Sequence, residues 1–231
     1  LKLDQQGLEL FNVGIVTVCV PEGPRPFDIG HLMQRLTVNR AVTGGGLDIN
    51  RAAALESPWF LDADGFAEHA GRVFANKRRL ALGVVVGGGL FARIGHPALL
   101  PGRAAKWAVA PFVVFQLADG SVGHLGFLVA VIVEEARRRG LCLDLGSSFG
   151  FRGHRFEVIR PLVQIREHGD QAGLLKIAMG ARGGPSVDGI VELMNELAAF
   201  ADWTALRDAY PAVRAYAKDA YGVYVERPER P

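Results

Sequence analysis

The sequence predicts an α/β or α+β architecture with helices covering one face of a sheet. Between Pro111 and about Trp203 the apolar patterning runs strand, helix, strand, strand, strand, helix, the alternation expected of layered folds. Both helices carry an apolar stripe at three- and four-residue spacing. In the first it is Leu125, Leu128, Val129, Ile132 and Ala136, and in the second Val187, Ile190, Val191, Met194, Leu197 and Phe200. Short β-branched runs bounded by Gly and Pro supply the strands.

Taken in order, Gly14 to Val20 reads as a buried strand closed by PEGPRP, and Asp28 to Arg40 as a short helix ended by TGGG. Asp64 is the expected N-cap of a helix reaching about Leu82, with Lys77 the polar member of its stripe and Gly83 its stop. The Pro and Gly density from Gly95 to Gly102 marks a linker, which places a domain boundary at about Pro111: residues 1–110 and 111–231. PFVVFQL is a strand. A helix from about Gly123 to Arg139 follows, with Glu134 and Glu135 outside and Gly140 as its cap. LCLDL, RFEVIRP and LLKIAMG are three more strands, and Ser186 is the expected cap of the last long helix.

The composition allows a sizeable core. Of 231 residues, 49% are hydrophobic and 22% charged, ordinary for a folded globular chain. A net charge of +2 gives no argument for nucleic acid. The short KRR (Lys77 to Arg79) and RRR (Arg137 to Arg139) clusters read as solvated helix ends. The two cysteines, Cys19 and Cys142, lie in apolar runs without metal-ligand spacing, which fits buried free thiols in a reducing compartment. No apolar run is long enough to span a membrane and no secretory signal is visible, so a cytoplasmic location is expected. A start at Leu1 rather than Met suggests a trimmed or partial chain.

The chemistry is expected in Gly146 to Arg155, GSSFGFRGHR, directly after a strand. Its glycines let backbone amides approach a ligand, Ser147 and Ser148 offer hydroxyls, and Arg152 and Arg155 offer planar forks for a carboxylate. Lys176, which alternation places on one strand face with Leu174 and Ala178, is a second candidate, and Arg182 in GARGGP is a further possible anion ligand. Gly87, Gly89 and Ala92 match GxGxxA, but Gly95 and Pro97 interrupt the helix that this pattern should open, so a structural turn is the better reading. The six histidines fall at no metal-binding spacing, and neither a GxSxG elbow nor a phosphate-binding GxxxxGK[ST] loop occurs.

From His96 to Phe200, and more loosely from Ala53 to Leu82, the order of phrases resembles fold-type I pyridoxal-phosphate (PLP) enzymes. ALESPWFLDADGFAEHAGRVFANKRRLALG is similar to the helical stretch after the lysine region in the cystathionine γ-synthase-like branch, and HPALLPG to the inter-domain linker. PFVVFQL resembles the first strand of the small domain, DLGSSFGF a strand-end loop that contacts substrate, and LLKIAMGAR the strand phrase "LRIAMG". The resemblance implies the C-terminal part of a PLP-transferase large domain with its linker over residues 1–110, then an α+β small domain over 111–231. It also implies a homodimer and a PLP-dependent transferase or lyase acting on an amino acid, of the Cys/Met-metabolism or aminotransferase kind.

Two departures qualify that expectation. None of Lys2, Lys77, Lys106, Lys176 and Lys218 follows Ser or Thr in the cofactor-lysine phrase, so the Schiff-base lysine is expected upstream of Leu1 and the enzyme incomplete in this chain. Lys176 stands where the family has arginine; lysine lacks the bidentate fork, and Arg152 or Arg155 is expected to take over. The alternatives are a non-catalytic binding or oligomerisation module that kept this fold, or a nucleotide-binding oxidoreductase using VVVGGGLFA.

Overall fold

The structure, a computed structural model, describes residues 28–42, 62–102, 110, 112–146, 153–159, 173–219 and 224–226. The chain divides into two compact units, Leu1–Ala67 and Glu68–Pro231. The expected strand at 14–20 lies outside the described residues. In the first unit, α1 (Ile29–Val42) begins at Asp28, whose carboxylate accepts the Gly30 N–H at 2.8 Å. Helix α2 (Ala63–Gly83) starts in the first unit and continues through the second. Its cap is Asp62, which accepts the Asp64 N–H, rather than Asp64 itself; Asp64 sits in the first turn, where a negative charge suits the helix dipole.

The second unit is built on a five-stranded mixed sheet in the order β1-β2-β5-β4-β3. The strands are β1 (Phe91–Gly95), β2 (Val113–Leu117), β3 (Leu143–Leu145), β4 (His154–Ile159) and β5 (Leu174–Ala178). β3 and β4 are parallel and the other neighbours antiparallel. Helix α3 (Val122–Arg138) connects β2 to β3, and α4 (Pro185–Ala199) and the short α5 (Trp203–Ala209) follow β5. A small pair, β6 (Ala217–Lys218) and β7 (Tyr224–Val225), closes the described chain. The edge strand β1 comes from before Pro111, in a stretch that reads as turn and linker. It forms because Phe91 and Ile94 face Leu117 and Phe115 across the ladder.

Helices α3 and α4 cover one face of this sheet. Cross-strand partners share a face, so Phe115, Leu175 and Val158 form one inward row, and Val113, Ile177, Phe156 and Leu145 another. These rows join the buried stripes of α3 and α4 in a single core, with Phe115, Phe156, Leu175, Ile177, Leu128 and Ile190 at 0% exposure. At about 25 cal/mol per Å² of apolar surface removed from water, such burial is the main stabilising term. α2 joins the helix layer against α4: Arg79 pairs with Asp188, and the Asn195 amide bridges the Gly83 carbonyl and the Val85 N–H.

Helix ends carry three corrections to the sequence reading. α3 ends in a Schellman arrangement: Gly140, at φ +65°, donates to the Arg137 carbonyl while Leu141 donates to Ala136. Glu135, expected outside, is 4% exposed. It is held by Arg138 and Arg139, and Arg139 also grips Glu196 on α4, so the RRR cluster is partly an inward-tied network rather than a wholly solvated end. Hydrogen bonds from Arg138 and then Arg139 hold the Glu135 carboxyl below its ordinary range, and Arg139 does the same for Glu196. For α4 the N-cap position is Gly184; the Ser186 hydroxyl instead accepts the Cys142 N–H at 3.0 Å, tying the helix to the strand layer.

His154 is fully buried, and its Nδ1 accepts the Gly180 N–H at 3.0 Å. Burial first, and then the Arg182 charge, push its pKa down to about 4, so the folded protein holds it neutral. The unfolded chain takes up that proton near 6.5. The resulting stability is complete above pH 6.5 and is lost as pH falls toward 4, by about 3 kcal/mol across the window. The Glu135 and Glu196 contributions persist further and are lost as pH falls below the ordinary carboxylate range. In urea unfolding at a series of pH values, His154→Asn, which keeps an acceptor for Gly180, is expected to flatten stability between pH 6.5 and 4 while leaving the steeper loss below it. An unchanged slope in that window would remove His154 as its source.

Candidate functional site

The face turned away from α3 and α4 carries polar residues, because strand alternation sends every second side chain there. Along β4 these are Arg155 and Glu157, along β5 Lys176, along β2 Gln116, and on β3 Asp144, with the apolar Val114 among them. The register sets them in rows: Val114, Lys176 and Glu157 lie side by side, as do Ala178, Arg155 and Asp144.

The sequence candidates fare differently. Ser147, Ser148 and Arg152 lie outside the described residues. Lys176 is on the face turned away from α3 and α4, as alternation predicts, yet it is already occupied. Its ammonium pairs with Glu157 on β4 and lies 5.5 Å from the centre of the Phe112 ring, and its side chain is only 12% exposed. An ammonium held in this way has little charge left for a ligand. Arg155 is half-buried, and among the described residues no carboxylate or hydrogen-bond partner engages it. Its guanidinium lies beside Gly146, with Nη1 3.6 Å from where a Cβ on that glycine would sit, at the root of the Gly-rich loop.

Asp144 was not singled out from sequence, and it is the Cα partner of Arg155 across the parallel ladder. It is exposed, and no ion pair engages it among the described residues. The signal was present in LCLDL, where alternation turns the aspartate away from Leu143, but reading that run only as a short strand assigned no face to it. Arg182 is exposed, and its Nη1 lies 2.7 Å from Cys142 Sγ, while its carbonyl accepts from Asn76 on α2 at 3.0 Å. Cys142 is therefore half-exposed beside a guanidinium, not a buried thiol. An open cavity of about 390 Å³ lies past the β3 edge, walled by Val133, Leu141 and Tyr216 and bordered by Arg137 and Asp144; Arg155 and Lys176 do not line it.

The other motifs resolve into structure. The glycines at 87–89 are followed by β1, not a helix. A side chain on Gly89 would collide with the Phe200 carbonyl, which also accepts the Leu90 N–H at 3.2 Å. The turn is thus a packing feature, and the helix needed to bind a pyrophosphate is missing from that position.

Nor do the described lysines fit a Schiff-base partner for PLP on this face. Lys176 is paired, Lys218 lies over the Tyr224 ring, and Lys77 belongs to α2 in the helix layer. Lys77 is 1% exposed, and burial lowers its pKa from 10.5 to about 8. Its stripe neighbours Val73, Leu80 and Ala81 are equally buried, and its Nζ lies 5.5 Å from the centre of the Phe74 ring, so the ammonium is a polar group in an apolar face.

Comparison with protein-family models and with curated proteins finds no match to this chain. Among the described residues no helix is long and apolar enough to cross a membrane. The mixed α/β fold and the polar sheet face therefore carry the functional argument by themselves.

The Lys77 environment has a measurable consequence. A lysine whose folded pKa is depressed lowers stability at every pH below that value, and the loss is recovered as pH rises from about 8 toward 10.5. Lys77→Met keeps the stem volume and removes the charge. It is expected to stabilise the protein by on the order of 2 kcal/mol at pH 7, with the gain shrinking toward pH 10. Thermal and urea melts of the variant at both pH values check this; a destabilised variant at pH 7 would show that the ammonium has a compensating partner.

Proposed function

We propose that the second unit recognises an amino acid on the open face of its sheet, as the small domain of a fold-type I PLP-dependent transferase or lyase. The observation that carries this reading is the Arg155–Asp144 pair of positions. A half-buried guanidinium and an exposed carboxylate stand as register neighbours, without ion-pairing each other or any other described residue. An amino-acid zwitterion presents the complementary charges, a carboxylate for the planar fork of Arg155 and an ammonium for Asp144. The resemblance places substrate-carboxylate recognition in this domain, and the strand order β2-α3-β3-β4-β5-α4 agrees with the expected small-domain pattern.

In this reading Arg155, not Lys176, is the carboxylate anchor. Lys176 with Glu157 is a neutralised cross-strand pair that fixes the register between β4 and β5. The cofactor lysine is assigned outside the described residues, and the division of labour gives this chain substrate recognition rather than the covalent chemistry. Assembly as a homodimer and a cytoplasmic setting belong to the same proposal.

Titration calorimetry with a panel of L-amino acids tests it. Arg155→Gln is expected to weaken binding at least ten-fold, about 1.4 kcal/mol, while Lys176→Met changes it by less than about three-fold. Loss confined to Lys176→Met would reverse the assignment, and loss in neither would remove the open face as the site. Addition of PLP followed by borohydride reduction and peptide mapping is expected to leave Lys77, Lys176 and Lys218 unlabelled. A stoichiometric pyridoxyl group on any of the three would show that the chain holds its own cofactor lysine.

A further inference from the structure

The two outer strands of the sheet end it differently. β1 is broken by a register shift between Phe91 and Arg93, a device that discourages further pairing. β3 has no such break, and among the described residues it pairs only with β4. The Cys142 carbonyl accepts the His154 N–H, and the Gly146 N–H donates to the Phe156 carbonyl, so the even-numbered residues give their main-chain groups to β4. Successive residues of a strand turn these groups to alternate edges, and the N–H and C=O of Leu143 and Leu145 therefore point outward. Among the described residues these four groups have no ladder partner.

The cavity of about 390 Å³ opens at this same edge. Its floor is apolar, made by Leu143 and Leu145 of the strand and Val133 and Ala136 of α3. Tyr216 forms a wall, held on α3 by its N–H, which donates to the Gly126 carbonyl at 3.0 Å. Val133, Leu145 and Tyr216 pack on the core yet are only half-buried. The apolar layer between sheet and helix runs on past the last strand, with two main-chain donors and two acceptors beside it. A small apolar molecule would fill the cavity and leave those groups to water. An extended chain satisfies both, because its main chain pairs with β3 while every second side chain turns toward α3.

Charge selects which chain. Asp144 sits at the centre of the strand, exposed and without an ion pair among the described residues. A second copy of β3 running antiparallel, with Leu143 opposite Leu145, would set two Asp144 carboxylates against each other, which disfavours it. Arg137, at the rim of the cavity, is taken up by Glu134 at 3.5 Å. We propose that the β3 edge docks an extended peptide segment of a partner protein, in which a lysine or arginine stands opposite Asp144 between two apolar residues. Directly opposed residues share a face, so the cation meets Asp144 while its apolar neighbours enter the cavity against Val133 and Leu145. The proposal does not depend on the amino-acid reading and has only Asp144 in common with it.

NMR titration of the isotope-labelled full chain with three blocked pentapeptides tests it. Each has threonine at both ends and valine at its second and fourth positions; the centre is lysine, glutamate, or lysine with both valines N-methylated. The lysine peptide is expected to bind about five-fold tighter than the glutamate peptide, and about ten-fold tighter than the N-methylated one, which cannot donate to the Leu143 and Leu145 carbonyls. Binding is expected to slow hydrogen exchange at the Leu143 and Leu145 amides and to leave Asp144, whose N–H belongs to the β4 ladder, at its own rate. Asp144→Lys is expected to reverse the preference in favour of the glutamate peptide; if that variant does not fold, the three peptides on the unaltered chain still decide. Equal affinity for the lysine and glutamate peptides would overturn the charge assignment and the proposal with it. Binding that survives N-methylation would show that the cavity takes side chains without the ladder. Protection of the same two amides by raising the protein concentration alone would give the edge to a second copy of the chain. Either of those results, or no protection by any peptide, overturns the proposal while leaving the amino-acid reading to its own test.

Discussion

The burial of one face of the sheet under α3 and α4 is the constraint from which the rest follows. Strand alternation gives two faces, and α3 and α4 bury one of them completely, as the 0% exposure of Phe115, Phe156, Leu175 and Ile177 shows. The opposite side chains of the same strands are then fixed in position by a core they do not belong to. The Cα–Cβ bond of Arg155 cannot turn to the other face without taking Phe156 out of the core, and that of Asp144 is tied in the same way to Leu143. Rigid placement of polar groups by an apolar layer beneath them is what a recognition surface needs, because pre-ordered groups lose little entropy when a ligand arrives.

The order of the layers was legible in the sequence, and so were most helix bodies. The stripe from Leu125 to Ala136 and that from Val187 to Leu197 are long and strictly periodic, and both helices stand within a residue or so of their expected bounds. What was not legible depends on partners distant in the chain. Ser186 is a good cap by residue type, but the Cys142 N–H, 44 residues away in the chain, takes its hydroxyl. Glu135 reads as solvated from helical phase, yet Arg138, Arg139 and through Arg139 also Glu196 draw it into a network. β1 has no clear pattern of its own and exists because Leu117 and Phe115 give its apolar residues a surface to pair with.

The candidate site was half visible for the same reason. Arginine in a Gly-rich segment after a strand is a local signal, and Arg155 could be picked from it. That Lys176 is neutralised follows only from the β4–β5 register, which sets Glu157 directly opposite. Lysine and arginine also respond differently to such a neighbour. A single ammonium facing one carboxylate is satisfied as a point charge, whereas a guanidinium has five donors and retains several after one contact. The contact between Arg182 and Cys142 leaves most of that fork free, and the absence of any described partner leaves all of it free at Arg155.

Charge spacing on the edge strand sharpens this further. Neighbouring unlike charges on a solvated surface usually drift into ion pairs, though such pairs contribute little, 0 to about 1 kcal/mol. Here the side chains instead stay with other neighbours: Arg155 against Gly146, Arg182 against Cys142, and Asp144 against neither. The cost of keeping them apart is small by the same figure, so a modest preference for the observed rotamers suffices to leave them unpaired.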